Sequence, residues 1–198
     1  MRKIVFYSLV ILLGLKVNAQ EWAPAGEKIK SPWSETLTPE NAWKEYPRPQ
    51  MVREENWINL NGIWNFEVAN KEATTPLSFD RTILVPFAIE SSLSGVGERL
   101  GSDKKLWYKR SCDIPNEWRR KTILLHFEAV DWETEVWVNG KSAGTHKGGF
   151  DPFTFDITKL VRRGANEIIV SVWDPTDEGM QARSKQVTDP GGIWYTPV

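Results

Sequence analysis

Apolar residues recur at every second position in a series of short runs between Asn56 and Trp173, and this period constrains the fold more than any other feature. Trp64, Phe66 and Val68 share one parity while Asn65 and Glu67 take the other. Leu106 to Cys112 reads as a further strand, stopped by Pro115, and Thr82 to Val85 as a short one stopped by Pro86. Ile123, Leu125, Phe127 and Ala129 alternate within Thr122 to Val130, and Phe153, Phe155 and Ile157 alternate again. Thr134 to Val138 runs into Asn139-Gly140, a pair that tolerates positive φ and so signals a hairpin turn. After the turn at Gly164-Ala165-Asn166, Ile168, Val170 and Val172 share a face up to Trp173. Roughly seven or eight short strands with turn signals and no long amphipathic helix predict an antiparallel all-β sandwich or jelly roll. Alternating βα patterning is absent, which disfavours a parallel doubly wound sheet.

Two segments precede this body. Arg2 and Lys3 lead into the uncharged, mostly apolar run Ile4 to Leu15, followed by Lys16 and Val17-Asn18-Ala19. Twelve helical residues span about 18 Å, short of the roughly 30 Å hydrocarbon core, so the pattern reads as a secretory signal peptide over 1–19, cut after Ala19. Localisation is then periplasmic or extracellular, with no membrane attachment after cleavage. Residues 20–55 form a lead-in carrying Pro24, Pro32, Pro39, Pro47 and Pro49, which excludes a central strand or long helix. Trp22, Trp33 and Trp43 are expected to pin it to the domain at 56–198, with a short helical turn at Pro39–Trp43.

Composition removes several classes of function. Lys+Arg of 25 against Asp+Glu of 26 gives a net charge of −1, and a pI near 6.2 offers no basic face for nucleic acid. One cysteine, Cys112, cannot form an internal disulfide. Two histidines, His126 and His146, leave little for a metal site or a Ser-His-Asp triad; His126 reads as a structural strand residue and His146 as a loop residue. No phosphate loop, nucleophile elbow, H-E-x-x-H or CxxC occurs, and Gly148-Gly149 reads as backbone freedom at a turn. Neither a cofactor nor a metal is implied. A glycosidase needs two carboxyl groups across the scissile bond. Asp131 and Glu133, two apart at a strand start, can share a face, but nothing in the sequence ties them to a pocket, and solvated acids are the plainer reading.

The 11 Trp are the stronger lead, because an indole packs against the apolar face of a pyranose ring. Trp132, Trp137, Trp173 and Trp194 lie near acids or amides, and Trp137 points opposite to Val136 and Val138. Trp64 and Trp107 are assigned to the core.

Several stretches together resemble one family. They are Trp57-Ile58-Asn59-Leu60-Asn61-Gly62-Ile63-Trp64-Asn65-Phe66, Val85-Pro86-Phe87-Ala88-Ile89-Glu90-Ser91, Leu106-Trp107-Tyr108-Lys109-Arg110 and His126-Phe127-Glu128-Ala129-Val130-Asp131-Trp132. Val136-Trp137-Val138-Asn139-Gly140, Gly144 to Phe153, Gly164 to Ile168 and Val172-Trp173-Asp174 continue the series. In order and spacing they resemble the N-terminal sugar-binding domain of glycoside hydrolase family 2, the β-galactosidase, β-glucuronidase and β-mannosidase group.

The resemblance implies a galactose-binding-like jelly-roll β-sandwich whose partners are a carbohydrate and a downstream catalytic (β/α)8 barrel, typically about 250 residues. Both catalytic glutamates of the family belong to that barrel, so no catalytic residue is expected here and the chain alone is expected to be inactive. The parent would be a retaining glycoside hydrolase. Residues 56–198 are expected to hold the jelly roll without its final strand, as in a fragment, leaving an unpaired and aggregation-prone sheet edge. Two loops are expected to face substrate: the one carrying Glu90, and the segment supplying Lys185, Gln186, Asp189, Trp194 and Tyr195. Galactosidases of the family carry an Asn where this chain has Ala88, a departure from strict galactose recognition. The competing readings are a stand-alone carbohydrate-binding module, which needs its own concave aromatic site, and a purely structural or interaction domain.

Overall fold

Each period-two run of the sequence becomes a strand in the computed structural model, which describes residues 21–27, 30–43 and 55–182. The expected signal peptide, Pro47 and Pro49, and the segment from Arg183 to Val198 lie outside the described residues. The strands are β1 (Gly62–Asn70), β2 (Arg81–Val85), β3 (Lys104–Ile114), β4 (Leu124–Phe127), β5 (Glu133–Val138), β6 (Lys141–Lys147), β7 (Phe153–Asp156) and β8 (Gly164–Trp173). One sheet has the order β2-β1-β3-β8-β5-β6 and the other pairs β4 with β7; every pairing is antiparallel. The chain changes sheet between β3 and β4, β4 and β5, β6 and β7, and β7 and β8. This is the expected all-β jelly-roll sandwich.

Alternation sets the core. Trp64 and Phe66 of β1, Ile83 of β2, Leu106 of β3, Val136 and Val138 of β5, and Ile168 and Val170 of β8 meet Leu125 of β4 and the flanking Ile123 and Ile157. Each such side chain contributes about 1.5–3 kcal/mol when taken out of water. Ile89, with Val96 and Leu100 packed against the cluster, brings the β2–β3 connection into the same core. Gly144 of β6 joins the two sheets: its φ is 148° and a Cβ there would overlap the Phe155 ring of β7. Only glycine meets both conditions.

The outer face of the large sheet carries a second aromatic layer. Trp107 is buried to 3% exposure, yet it lies on this face, where its ring stacks on Trp137 with centroids 5.5 Å apart. The expected burial of Trp107 is met, on this outer face rather than in the cluster between the sheets, and Trp137 points away from Val136 and Val138, which are in that cluster. Trp107 opposes Ser171 and Trp137 opposes Ile169, so the two indoles lean towards each other over β8. Ile169 and Ser171 are buried beneath them on a face otherwise dressed with Glu167, Lys109 and Glu135.

Strand β6 was not visible as a period-two run, and His146 lies in it rather than in a loop. Lys141 to Lys147 carries no alternating large hydrophobics; the Asn139-Gly140 turn is what folds it back onto β5. The run Thr122 to Val130 forms only the four-residue β4, since Ala129 and Val130 have no strand to pair with. In the lead-in, Trp22 packs on Gly95, and the Ala25 N–H donates to Ser92 O at 2.8 Å. Trp33 does not pin the segment, being 81% exposed, and the Trp43 side chain is half exposed. Ser34 and Ala42 are buried there, and the Trp43 carbonyl accepts from Asn59 Nδ2 at 3.0 Å. A one-turn 3-10 helix forms at Pro32–Thr36, and Pro39–Trp43 form turns instead of a helix.

Candidate functional site

Strand ends of both sheets meet at one rim of the sandwich. Glu133 at the start of β5 pairs with Trp173 at the end of β8 and with Lys147 at the end of β6. Phe127 at the end of β4 opposes Phe153 at the start of β7. The 128–132 and 148–152 connections and the chain beyond Trp173 therefore all leave from this rim.

Asp131 is the chemically distinctive residue there. Burial raises its carboxyl from the ordinary aspartate range to about 6, and the neighbouring charge of Asp174 adds to the shift. Its Oδ1 is shielded from solvent and has no hydrogen-bond partner among the described residues. Gly149 closes over it: a Cβ at 149 would overlap the Asp131 carboxyl. The sequence reading of Gly148-Gly149 as turn freedom is thus incomplete, since Gly149 is required by close approach. The two connections are tied by the Gly148 N–H, which donates to Trp132 O at 3.0 Å, and the Asp131–Trp132 peptide is cis.

Two further polar groups sit beside this turn. His146 stacks on Phe153 at 4.1 Å between centroids, and its Nε2, which has no hydrogen-bond partner among the described residues, lies 3.5 Å from where a Cβ of residue 148 would stand. Thr134 opposes His146 across β5–β6 and is fully buried, its Oγ1 also without a partner among the described residues. Sequence reasoning did not single out Thr134. Its parity with Val136 and Val138 was the available signal: a hydroxyl at a core-facing position must find a partner or lose hydration.

The opposite rim holds a buried polar network. Asn166, 1% exposed, donates to the carbonyls of Arg162 and Gly164 and accepts from the Arg162 N–H and from Asn139 Nδ2. Asn139 in turn donates to Leu160 O and accepts from the Glu167 N–H. That network is complete, whereas Asp131 Oδ1, Thr134 Oγ1 and His146 Nε2, like Trp22 Nε1, Trp57 Nε1, Ser92 Oγ and Trp107 Nε1 elsewhere, have no partner among the described residues.

Of the sequence-predicted contact residues, Glu90 is described. It is half-buried against the middle of β3, where its charge, after burial, helps hold the Tyr108 phenol above its ordinary pKa. Lys185, Gln186, Asp189, Trp194 and Tyr195 lie outside the described residues. Asp131 and Glu133 do not form a pair: Glu133 begins β5 and bridges to Lys147 at 3.1 Å. Nor do Asp131 and Asp174 flank an open cleft, because Asp131 Oδ1 is sealed against Gly149 and Asp174 Oδ1 accepts from the Thr176 N–H at 2.7 Å. His126 is a strand residue, bonded to Thr154 Oγ1 at 2.7 Å and stacked on Trp57. Among the described residues no group of three His, Cys, Asp or Glu side chains is placed to hold a metal ion.

The described residues form an antiparallel jelly-roll β-sandwich with the 128–132 and 148–152 connections at one rim. Residues 96–195, half of the chain, match the model of the glycosyl hydrolases family 2 sugar binding domain, and the chain belongs to that family. It is 43% identical over 72 residues to a putative beta-glucuronidase of Formosa agariphila, a match covering 35% of this chain and 9% of that protein. Over 66 residues it is 38% identical to a beta-galactosidase of Thermoanaerobacter pseudethanolicus, covering 33% of this chain and 9% of that protein. Among solved structures it resembles a Lactobacillus rhamnosus beta-glucuronidase with a TM-score of 0.50 and 28% identity, covering 58% of this chain and 20% of that one. The matches thus span about a tenth to a fifth of the relatives' length.

Proposed function

We propose that this chain is the sugar-facing N-terminal domain of an exported, retaining family 2 glycoside hydrolase. In this reading its loops shape the substrate pocket while two glutamates of a downstream (β/α)8 barrel break the glycosidic bond. The observation that carries it is the family match across residues 96–195, which takes in both the Asp131 rim and the segment holding Lys185, Gln186, Asp189, Trp194 and Tyr195. Those five residues and Glu90 supply donors, acceptors and a stacking face for a sugar. A β-glucuronide is the favoured substrate class: relatives named as beta-glucuronidases recur, and Ala88 stands where the family's galactosidases carry Asn.

The purified chain tests this directly. We expect no turnover of para-nitrophenyl β-D-glucuronide or β-D-galactoside; hydrolysis of either would overturn the reading. Supplying a barrel from a family relative should produce a complex, and Asp189→Ala should raise the KM of that complex for the glucuronide. Sugar binding at millimolar affinity or better without any barrel would favour a stand-alone module instead. Export predicts a mature product beginning at Gln20, read by N-terminal sequencing.

A further inference from the structure

Three connections meet at the rim opposite Asp131: residues 115–123 after β3, the Asn139-Gly140 turn after β5, and residues 157–163 before β8. Ile114 pairs with Gly164, and Val138 pairs with both Lys141 and Ile168, so these connections adjoin. The first carries Arg119, Arg120 and Lys121, the last carries Arg162 and Arg163, and Lys141 follows the turn; all six are exposed. None of the six forms an ion pair among the described residues, whereas Arg81, Lys104, Lys109 and Lys147 each have a carboxylate. Of the acids in or flanking these connections, Glu167 is spent on Lys109, and Asp156 accepts from the N–H and Oγ1 of Thr158 and feels the charge of Lys159. Asp113 and Glu117 remain. A net charge of −1 for the whole chain conceals this local excess of cations.

The cations are also held in place. Buried Asn166 accepts from the Arg162 N–H and donates to the Arg162 carbonyl. Arg162 Nε donates to Ala165 O at 3.1 Å, and its terminal nitrogens have no partner among the described residues. Arg163 Nη2 reaches Asn116 Oδ1 at 3.4 Å and Asn139 Nδ2 donates to Leu160 O at 2.9 Å, so all three connections are tied together. Donors ordered in advance lose little entropy when a ligand arrives.

We propose that this rim binds an acidic polysaccharide through its carboxylates. The choice of a carbohydrate rests on the sugar-facing reading above. Four of the six cations are arginines, whose planar fork fits a carboxylate better than an ammonium does. The ends of β3, β8, β5 and β6 lie side by side over about 14 Å. A polymer therefore meets several cations at once where a monosaccharide meets fewer, and each contact strengthens the next. Trp118, the aromatic residue of these connections, packs back against the core, so they offer no platform for a nucleic-acid base. The ten residues of β8 separate this rim from the Asp131 rim by about 30 Å. A polymer gripped here holds the protein on its substrate without filling the sugar-facing end.

The test is calorimetric titration of the purified chain with polygalacturonate, neutral dextran and a DNA duplex, each at low and at raised salt. Polygalacturonate should bind, with an affinity that falls as salt screens the exposed charges, and dextran should not. Arg120→Gln combined with Arg163→Gln should weaken polygalacturonate binding about fivefold. Arg120→Lys combined with Arg163→Lys should retain most of it. Should the glutamine pair not fold, Arg119→Gln with Lys141→Gln serves for the same readout. Absence of polygalacturonate binding would overturn the proposal, as would unchanged affinity in a folded glutamine pair. Equal affinity for dextran would show that charge is not read, and equal affinity for the duplex would show a general polyanion surface; either result overturns it too. Failure of polygalacturonate to bind, with the barrel complex intact, strikes this proposal alone. Turnover by the chain without a barrel strikes the earlier reading alone.

Discussion

Trp107 and Trp137 stack 5.5 Å apart across the intervening strand β8, roofing Ile169 and Ser171 on the outer side of the large sheet. Removing Trp137 strips that roof. Trp137→Ala is expected to destabilise the domain by about 2–3 kcal/mol, read from the urea midpoint. Trp33→Ala, at an 81% exposed indole, should change stability by less than about 0.5 kcal/mol.

Asn166→Ala should be costly despite the small change in apolar volume. It removes two donors and the shared acceptor for the Arg162 N–H and Asn139 Nδ2, leaving those groups buried without partners. The expected loss is about 2–3 kcal/mol, with thermal denaturation as the measure. Asn166→Asp should be damaging too, since a carboxylate cannot donate to the carbonyls of Arg162 and Gly164.

Asp131 makes stability depend on pH in an unusual direction for an acid. Its folded-state pKa is raised to about 6, so the folded chain holds a proton that the unfolded chain has already released. Stability from this group is full below the ordinary aspartate range and falls as pH rises to about 6, where it levels off. Melting temperature recorded at pH steps between 4 and 7 should therefore carry a downward component that Asp131→Asn removes.

Gly149→Ala should destabilise the rim, because the new methyl group overlaps the Asp131 carboxyl. A double-mutant cycle isolates the cause. If Gly149→Ala is built on an Asp131→Ala background, its penalty should shrink by at least about 1 kcal/mol, a coupling of the size expected for residues in direct contact.

The sandwich was legible in the sequence wherever a strand has one dry face. Trp64, Phe66 and Val68, or Ile168, Val170 and Val172, fix both the strand and its inward side. Strand β6 was illegible because it lies at the edge of the sheet, and its pairing depends on Asn139-Gly140 rather than on its own side chains. The exposed Trp33 misled for a related reason: composition marks an indole as sticky without saying what lies beside it. At the rim, Asp131 was visible as a carboxylate near a strand start, but its raised pKa arises from burial in the folded chain and from the charge of Asp174, 43 positions away, and Gly149, 18 positions away, closes against it. Only the folded arrangement brings those three together.

The two leaves of the sandwich are very unequal: β3 and β8 share nine paired positions at the heart of the large sheet, whereas β4 and β7 share four. Backbone amides of the small leaf should accordingly take up deuterium early, through excursions that leave the β3–β8 ladder closed. The slow clock of this domain is kept by its broad sheet, and the narrow one breathes against it.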